Sequence, residues 1–300
     1  MRFVAFNLNN DPTKKTRIGQ IELDGSKVQE FEIPGNHDQS GVLAFLCMHL
    51  DGKSLGNASA SHLLSEVQLL APIPRPRRNI FCVGKNYYEH AKEFAQSGFD
   101  SSAVKPGDDI PTDPIIFTKV PESVIPSGTS IEIPKTVSQA IDYEAELAVI
   151  IGKGGKGISE AEAMNHVWGY TIINDVTARD WQNRHKQWHM GKSFDTFAPM
   201  GPCVVTADEL DGQNTSVKLW VNGELRQNAV TKDLIFKIPK LIATLSAGIT
   251  LYPGDIIATG TPVGVGIGFK PPKYLVAGDV VKVEIGGIGS IENPVVNASE

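Results

Sequence analysis

Polar and apolar residues alternate through "IDYEAELAVIIG", residues 141–152, which places Tyr143, Ala145, Leu147, Val149 and Ile151 on one face of a predicted strand. Asp142, Glu144 and Glu146 fall on the other face. Further strand-like runs are "NIFCVG", "PIIFTKV", "SIEIP", "GYTIIND", "PCVVTA", "VKLWVNG", "DIIATG" and "VVKVEIGGIGSIEN". Helical spacing is confined to "GVLAFLCMHL", "SHLLSEVQLL", "YYEHAKEFAQS", "SEAEAMNHV", "TARDWQNRHKQW" and "IPKLIATLSAG". The strands cluster and the helices do not alternate with them, so the pattern predicts an α+β, mainly β fold rather than a doubly wound parallel sheet. Residues 1–70, with strands such as "RIGQIELDG" and "KVQEFEIPG", read as a small α+β accessory domain. The three prolines of "APIPRPRR" mark a boundary, and residues 71–300 read as one catalytic domain.

Composition narrows the function classes. The 300 residues are 41% hydrophobic and 21% charged, ordinary for a globular protein. A net charge of -6 argues against nucleic acid as partner, because phosphate binding relies on clustered Lys and Arg. The densest basic stretch, "IPRPRRN", reads as a solvated linker. No apolar run approaches the roughly 18 residues of a membrane span. The start "MRFVAFNLNNDPTKK" lacks the order of a secretory signal, so no membrane association and a cytoplasmic location are expected. Cys47, Cys82 and Cys203 are odd in number and far apart; they read as buried small apolar residues, not as a disulfide or zinc framework.

The carboxylates change the picture. On a strand, the Cα atoms of Glu144 and Glu146 lie about 7 Å apart. Two such charges raise each other's pKa unless a cation sits between them or the face is solvated, and both readings stand at this point. Asp175 ends the strand pattern of "GYTIINDVTARDW", where it is either a helix cap or a third acid at a strand edge. Three carboxylates with no nearby Cys or obligatory His would form an all-oxygen site suited to Mg²⁺ or Mn²⁺.

In "VGKNYYEHAKEF", Asn86 and Glu89 are spaced as a helix N-cap and its box partner, and His90 and Glu93 share a face three residues apart. That pair is either surface decoration or an imidazole held by a carboxylate, the arrangement of a water-activating base. The following "GFDSSAVKPGDDIPTD" reads as a mobile surface segment able to act as a lid. The glycines of "DIIATGTPVGVGIG" let backbone amides approach an anion, but Phe269 stands where a dinucleotide fold needs its third glycine. "GKGGKGIS" likewise fails as a P-loop. His185 and His189 read as ordinary helix-face residues, and Lys192 is either solvated or the cation for an anionic substrate.

Taken together, "VGKNYYEHAKEF", "DYEAELAVIIGKGGKGIS", "GYTIINDVTARDWQ", "GKSFDTFAPMGP", "VNGELRQ" and "GDIIATGTPVGVG" resemble the fumarylacetoacetate hydrolase family, in order, from about residue 72 onward. The first 70 residues resemble the small accessory domain of its longer, bacterial-type members. This resemblance implies a mixed β-sandwich roll, a homodimer, and Mg²⁺ or Mn²⁺ held by Glu144, Glu146 and Asp175. It implies a catalytic His90–Glu93 dyad joined by Lys192, and substrate contacts at Lys85, Gln182 and Thr261. Where some relatives carry Arg, this chain has Lys85, so a bidentate fork becomes a point charge. The implied reaction is metal-dependent C–C cleavage of a small anionic 2-oxo acid through an enolate. Oxaloacetate decarboxylation is slightly favoured over acylpyruvate or fumarylpyruvate hydrolysis, because "TARDWQNRHKQWHMGKSFDTFAPMGP" looks most like members associated with oxaloacetate. Keto–enol tautomerisation needs the same metal and a proton shuttle and is the alternative, with a non-catalytic metal-binding regulatory protein as the rival of a different class.

Overall fold

A computed structural model of the protein describes residues 1–98 and 109–299. Most of the predicted lid segment, at 99–108, lies outside the described residues. Two sheets dominate the chain. The larger runs in the order Ala60–Leu63, Lys27–Glu30, Arg17–Ile21, Arg2–Leu8, Ala198–Thr206, Val167–Asn174, Ala145–Ile151, Ile256–Ala258, Ile80–Gly84 and Ile115–Lys119. The smaller runs Glu224–Val230, Ser216–Val221, Val280–Ile285, Gly289–Asn297 and Ile131–Ile133. Most pairs are antiparallel, but Ile256–Ala258 lies parallel to Ile80–Gly84, so the large sheet is mixed. The fold is α+β and mainly β, with one sheet packed on the other.

The strand Ala145–Ile151 explains the layering. Its odd-numbered residues Leu147 and Val149 join a core cluster with Val217, Leu219 and Val283 of the smaller sheet. Its even-numbered residues Ala148 and Ile150 join a second cluster with Phe3, Ile18, Phe45 and Trp168. Every residue of this strand is buried, because both faces of the sheet are covered. The solvated-face reading of the carboxylates is therefore overturned. The first 70 residues share this second cluster, and Arg2–Leu8 pairs with Ala198–Thr206 through Arg2↔Val205 and Phe3↔Val204.

Helices form at Leu43–Leu50, Tyr88–Gln96 and Ile238–Gly248, where spacing places them. Elsewhere tertiary pairing overrides the apparent period. The "SHLLSEVQLL" stretch splits into strands Ala60–Leu63 and Val67–Leu69, which pair with Lys27–Glu30 and Arg2–Leu8. "SEAEAMNHV" yields only a 3-10 turn at Ala163–His166. The pattern around Trp181 breaks at Lys186, whose φ of 57° ends the helix Arg179–Arg184 before a short turn of helix at His189–Lys192. His185 and His189 therefore do not share a helix face.

Three further expectations fail for local reasons. Arg78 is not a solvated linker residue: its Nε donates to Asp255 Oδ1 at 2.9 Å and its Nη2 to the Thr250 carbonyl at 2.9 Å. Cys47 is exposed, while Cys82 and Cys203 are buried. Asn86 caps no helix; its amide donates to the carbonyls of Phe236 and Thr259 and accepts from the Phe236 N–H, fastening three chain segments. Among the described residues no helix is long and apolar enough to cross a membrane.

Candidate metal centre and active site

Strand register brings the acids together. Ala145 pairs with Asn174 in antiparallel alignment, so Glu144 and Asp175 stand side by side at the same end of two neighbouring strands. The Asp175 N–H donates to the Glu144 carbonyl at 2.8 Å, and the Glu144 N–H to Asn174 Oδ1 at 3.0 Å. Glu146, one pleat along, points to the same end. One carboxylate oxygen from each of Glu144, Glu146 and Asp175 lies within 4.8 Å of the others, and all three residues are buried. Asp175 caps no helix.

Buried cations surround this cluster. Lys192 Nζ donates to Glu144 Oε2 at 2.6 Å and Asp175 Oδ2 at 2.8 Å. Lys119 Nζ donates to Asp175 Oδ1 at 2.7 Å and the Val176 carbonyl at 3.0 Å. Arg179 Nη2 lies 2.8 Å from Glu144 Oε1 in an ion pair without good hydrogen-bond geometry, while its Nε donates to Asp142 Oδ2 at 2.8 Å. Burial pushes the Glu144 carboxyl up, but Lys192 and Arg179 outweigh it and hold the group below the usual carboxylate range. For Glu146 burial, with the charges of Asp175 and Glu144 beside it, pushes the carboxyl well above that range. Among the described residues no Lys, Arg or His ion-pairs with Glu146; it receives the Gly260 amide at 2.8 Å.

The donor set fits a hard divalent cation. Three buried carboxylate oxygens, one of them without an ion pair among the described residues, form an all-oxygen site of the kind that Mg²⁺ and Mn²⁺ accept. Glu144, Glu146 and Asp175 are the residues able to hold it.

The other predicted residues converge on the same place. Lys85, His90, Gln182, Lys192 and Thr261 line one cavity with Glu144 and Glu146. Its inner space is about 10 Å³, room for about one water. His90 Nδ1 sits 3.2 Å from Glu93 Oε2 on the helix Tyr88–Gln96, leaving Nε2 free of that contact. Lys85 holds a left-handed φ of 54°, uncommon for a residue other than glycine, where the strand Ile80–Gly84 turns towards this helix.

The glycine-rich loop does bind anions, and they are the protein's own. Gly260 N–H donates to Glu146, Gly264 N–H to Glu93 Oε1 at 3.1 Å, and the amides of Gly266 and Ile267 to Asp142 at 2.6 and 3.0 Å. A Cβ at Gly268 would stand 2.0 Å from Glu93 Oε1, so only glycine leaves room for that carboxylate. Asp142, which the strand period puts on the face of Glu144 and Glu146, is instead an anchor for this loop and Arg179.

Sequence reasoning missed Lys119 and Arg179. The one available signal was charge: each is a cation within a largely apolar stretch, in "IIFTKV" and "VTARDW", although Asp180 follows Arg179. Burying it demands a counterion.

Residues 79–296 match the family model for the fumarylacetoacetate (FAA) hydrolase C-terminal region. The chain is 50% identical over 238 residues to oxaloacetate tautomerase YisK of Bacillus subtilis (strain 168), covering 79% of this chain and 76% of that protein. It is 42% identical over 304 residues to the mitochondrial oxaloacetate tautomerase fahd2 of Xenopus laevis, covering 99% and 90%. Among solved structures, fumarylacetoacetate hydrolase from Exiguobacterium antarcticum superposes with a TM-score of 0.82 at 38% identity, covering 99% of this chain and 100% of that one. The chain described here belongs to the fumarylacetoacetate hydrolase family.

Proposed function

We propose that this chain is an enzyme acting on a small 2-oxo acid, and that its principal reaction is the keto–enol tautomerisation of oxaloacetate. The observation that carries this reading is His90, held at Nδ1 by Glu93, lining the same cavity as Glu144 and Glu146. A tautomerase needs a base beside an electron sink and no water nucleophile. The 50% identical relative named oxaloacetate tautomerase supports the same substrate.

Glu144, Glu146 and Asp175 would hold a Mg²⁺ or Mn²⁺, which would supply Lewis acidity to the bound 2-oxo acid. His90 takes a proton from the carbon beside the 2-oxo group and a proton is delivered to the 2-oxo oxygen, giving the enol, with the reverse transfers giving back the ketone; Glu93, on Nδ1, fixes the tautomer and steadies the imidazolium. Lys192 adds positive charge where the oxyanion develops, and the cavity, once closed, excludes water and strengthens that attraction. Gln182 and Thr261 orient the substrate, with Lys85 as a further cation towards its carboxylates.

C–C cleavage of a related acid is the second reading, favoured by the likeness to a solved structure titled fumarylacetoacetate hydrolase. The experiment that separates them follows enol loss, pyruvate and CO₂ from oxaloacetate, and acetylpyruvate cleavage, each with Mn²⁺ and with excess chelator. Chelator-sensitive enol conversion that outpaces both cleavage reactions supports tautomerisation. Faster cleavage overturns it.

A further inference from the structure

Gln227 is fully buried on the strand Glu224–Val230, at the edge of the smaller sheet, and no step above uses it. The register with Ser216–Val221 slips there, pairing Leu219 with Gln227 but Trp220 with Leu225, so that Arg226 is an extra residue and the bulge re-aims its neighbour inward. Its Oε1 accepts the Ala145 N–H at 2.9 Å, between the two predicted glutamate ligands. Its Nε2 donates to Thr261 Oγ1 at 2.8 Å and to the Pro262 carbonyl at 2.7 Å. A backbone N–H facing one atom and a carbonyl facing the other leave the amide a single orientation, with both N–H groups used.

The consequence falls on Thr261. Its hydroxyl has three directions: Gln227 occupies one as donor, the Ala145 carbonyl at 3.1 Å lies along another, and the third is left to the cavity that Thr261 lines. The proton can therefore lie only on Ala145 O or on an oxygen in the cavity. A carboxylate oxygen, being charged, outcompetes the neutral carbonyl.

We propose that Gln227 is a positioning residue that makes Thr261 a hydrogen-bond donor to one carboxylate oxygen of the substrate. Gln227 holds one lone pair of Thr261, so the hydroxyl proton turns between Ala145 O and that oxygen. This rests on the 2-oxo acid reading above. It differs from a purely structural role in that the effect passes through Thr261, and the two residues must therefore be coupled in ligand binding.

The test is a double-mutant cycle read by calorimetric binding of oxalate, a planar dianion with two adjacent chelating carboxylates, to the Mn²⁺-loaded protein. Gln227→Met and Thr261→Val each weaken oxalate binding about 10-fold, and the double variant loses about the same 10-fold, as removal of one charge-assisted hydrogen bond requires. Mn²⁺ affinity stays within about 3-fold of the parent, since no ligand residue is changed. Losses that multiply to about 100-fold in the double variant, or a Gln227→Met protein that binds oxalate like the parent, overturn the inference. Should Gln227→Met not fold, Gln227→Leu carries the same cycle, since it too cannot donate to Thr261 and adds no charge. Oxalate binding needs no turnover, so inactivity towards oxaloacetate overturns only the proposed function, and an uncoupled cycle overturns only this inference.

Discussion

The Gly260 amide donates to Glu146 Oε2 at 2.8 Å, joining the end of the strand Ile256–Ala258 to the one carboxylate of the three that makes no ion pair among the described residues. Gly260 has a φ of 101°, and a Cβ there would stand 2.7 Å from Asn86 Cβ and 3.0 Å from the Val83 carbonyl. Gly260→Ala is therefore expected to cost about 1–3 kcal/mol of stability. Because the amide also aims a proposed metal ligand, Mn²⁺ affinity is expected to fall roughly 10-fold or more. Thermal melting and a Mn²⁺ titration of one variant check both expectations.

Glu146→Gln separates the metal site from the packing around it. The amide keeps the shape of the side chain and needs no counterion in its buried position, so the metal-free variant melts no lower than the metal-free parent. Its Mn²⁺ affinity drops by at least about 100-fold, beyond what loss of an outer partner causes. Calorimetric titration with Mn²⁺ reads the second effect, and differential scanning in excess chelator reads the first.

His90→Ala removes the proposed proton shuttle without touching the acids. Turnover of oxaloacetate tautomers should fall by about 10²–10⁴-fold, the usual worth of a positioned acid–base group, with Mn²⁺ binding unchanged. Glu93→Gln gives a smaller loss, since it acts through the imidazole and through the Gly264 amide. Any decarboxylation detected in the same assay survives His90→Ala better than tautomerisation does, because loss of CO₂ needs no base. Equal losses would contradict that division.

Outside the site, Arg78→Ala tests the packing of the proline-rich stretch. The Asp255 side chain is fully buried, and Arg78 is about a third exposed and also stacks 4.9 Å above the Phe81 ring. Removing the guanidinium strands a buried carboxylate, and we expect a loss of about 2 kcal/mol, reduced from a fully buried pair by the exposure of Arg78. Urea unfolding measures it.

Part of this site was readable in the chain because it depends on local spacing. A strand's period of two puts Glu144 and Glu146 together, and the abrupt end of an apolar run marks Asp175. The i, i+3 spacing of His90 and Glu93 is equally local. Other features depend on pairing between distant segments and left little trace. Lys119 is 56 residues from Asp175, and their contact needs both the Ile80–Gly84 to Ile115–Lys119 pairing and the sheet order that follows. Asp142 shares the period of the two glutamates, yet amides 124 and 125 residues away claim its carboxylate. The N-terminal strands read as a separate unit because prolines follow them, whereas Phe3 and Phe45 pack in one cluster with Ile80 and Ala148.

Everything proposed for the reaction depends on one ion among Glu144, Glu146 and Asp175. The most direct measurement adds Mn²⁺ stepwise to chelator-stripped protein, following bound Mn²⁺ by electron paramagnetic resonance and oxaloacetate tautomerisation in the same samples. The account predicts that turnover is absent at the start and rises in proportion to a single bound Mn²⁺ per chain. Full turnover in stripped protein, or bound Mn²⁺ that leaves activity unchanged, would contradict it.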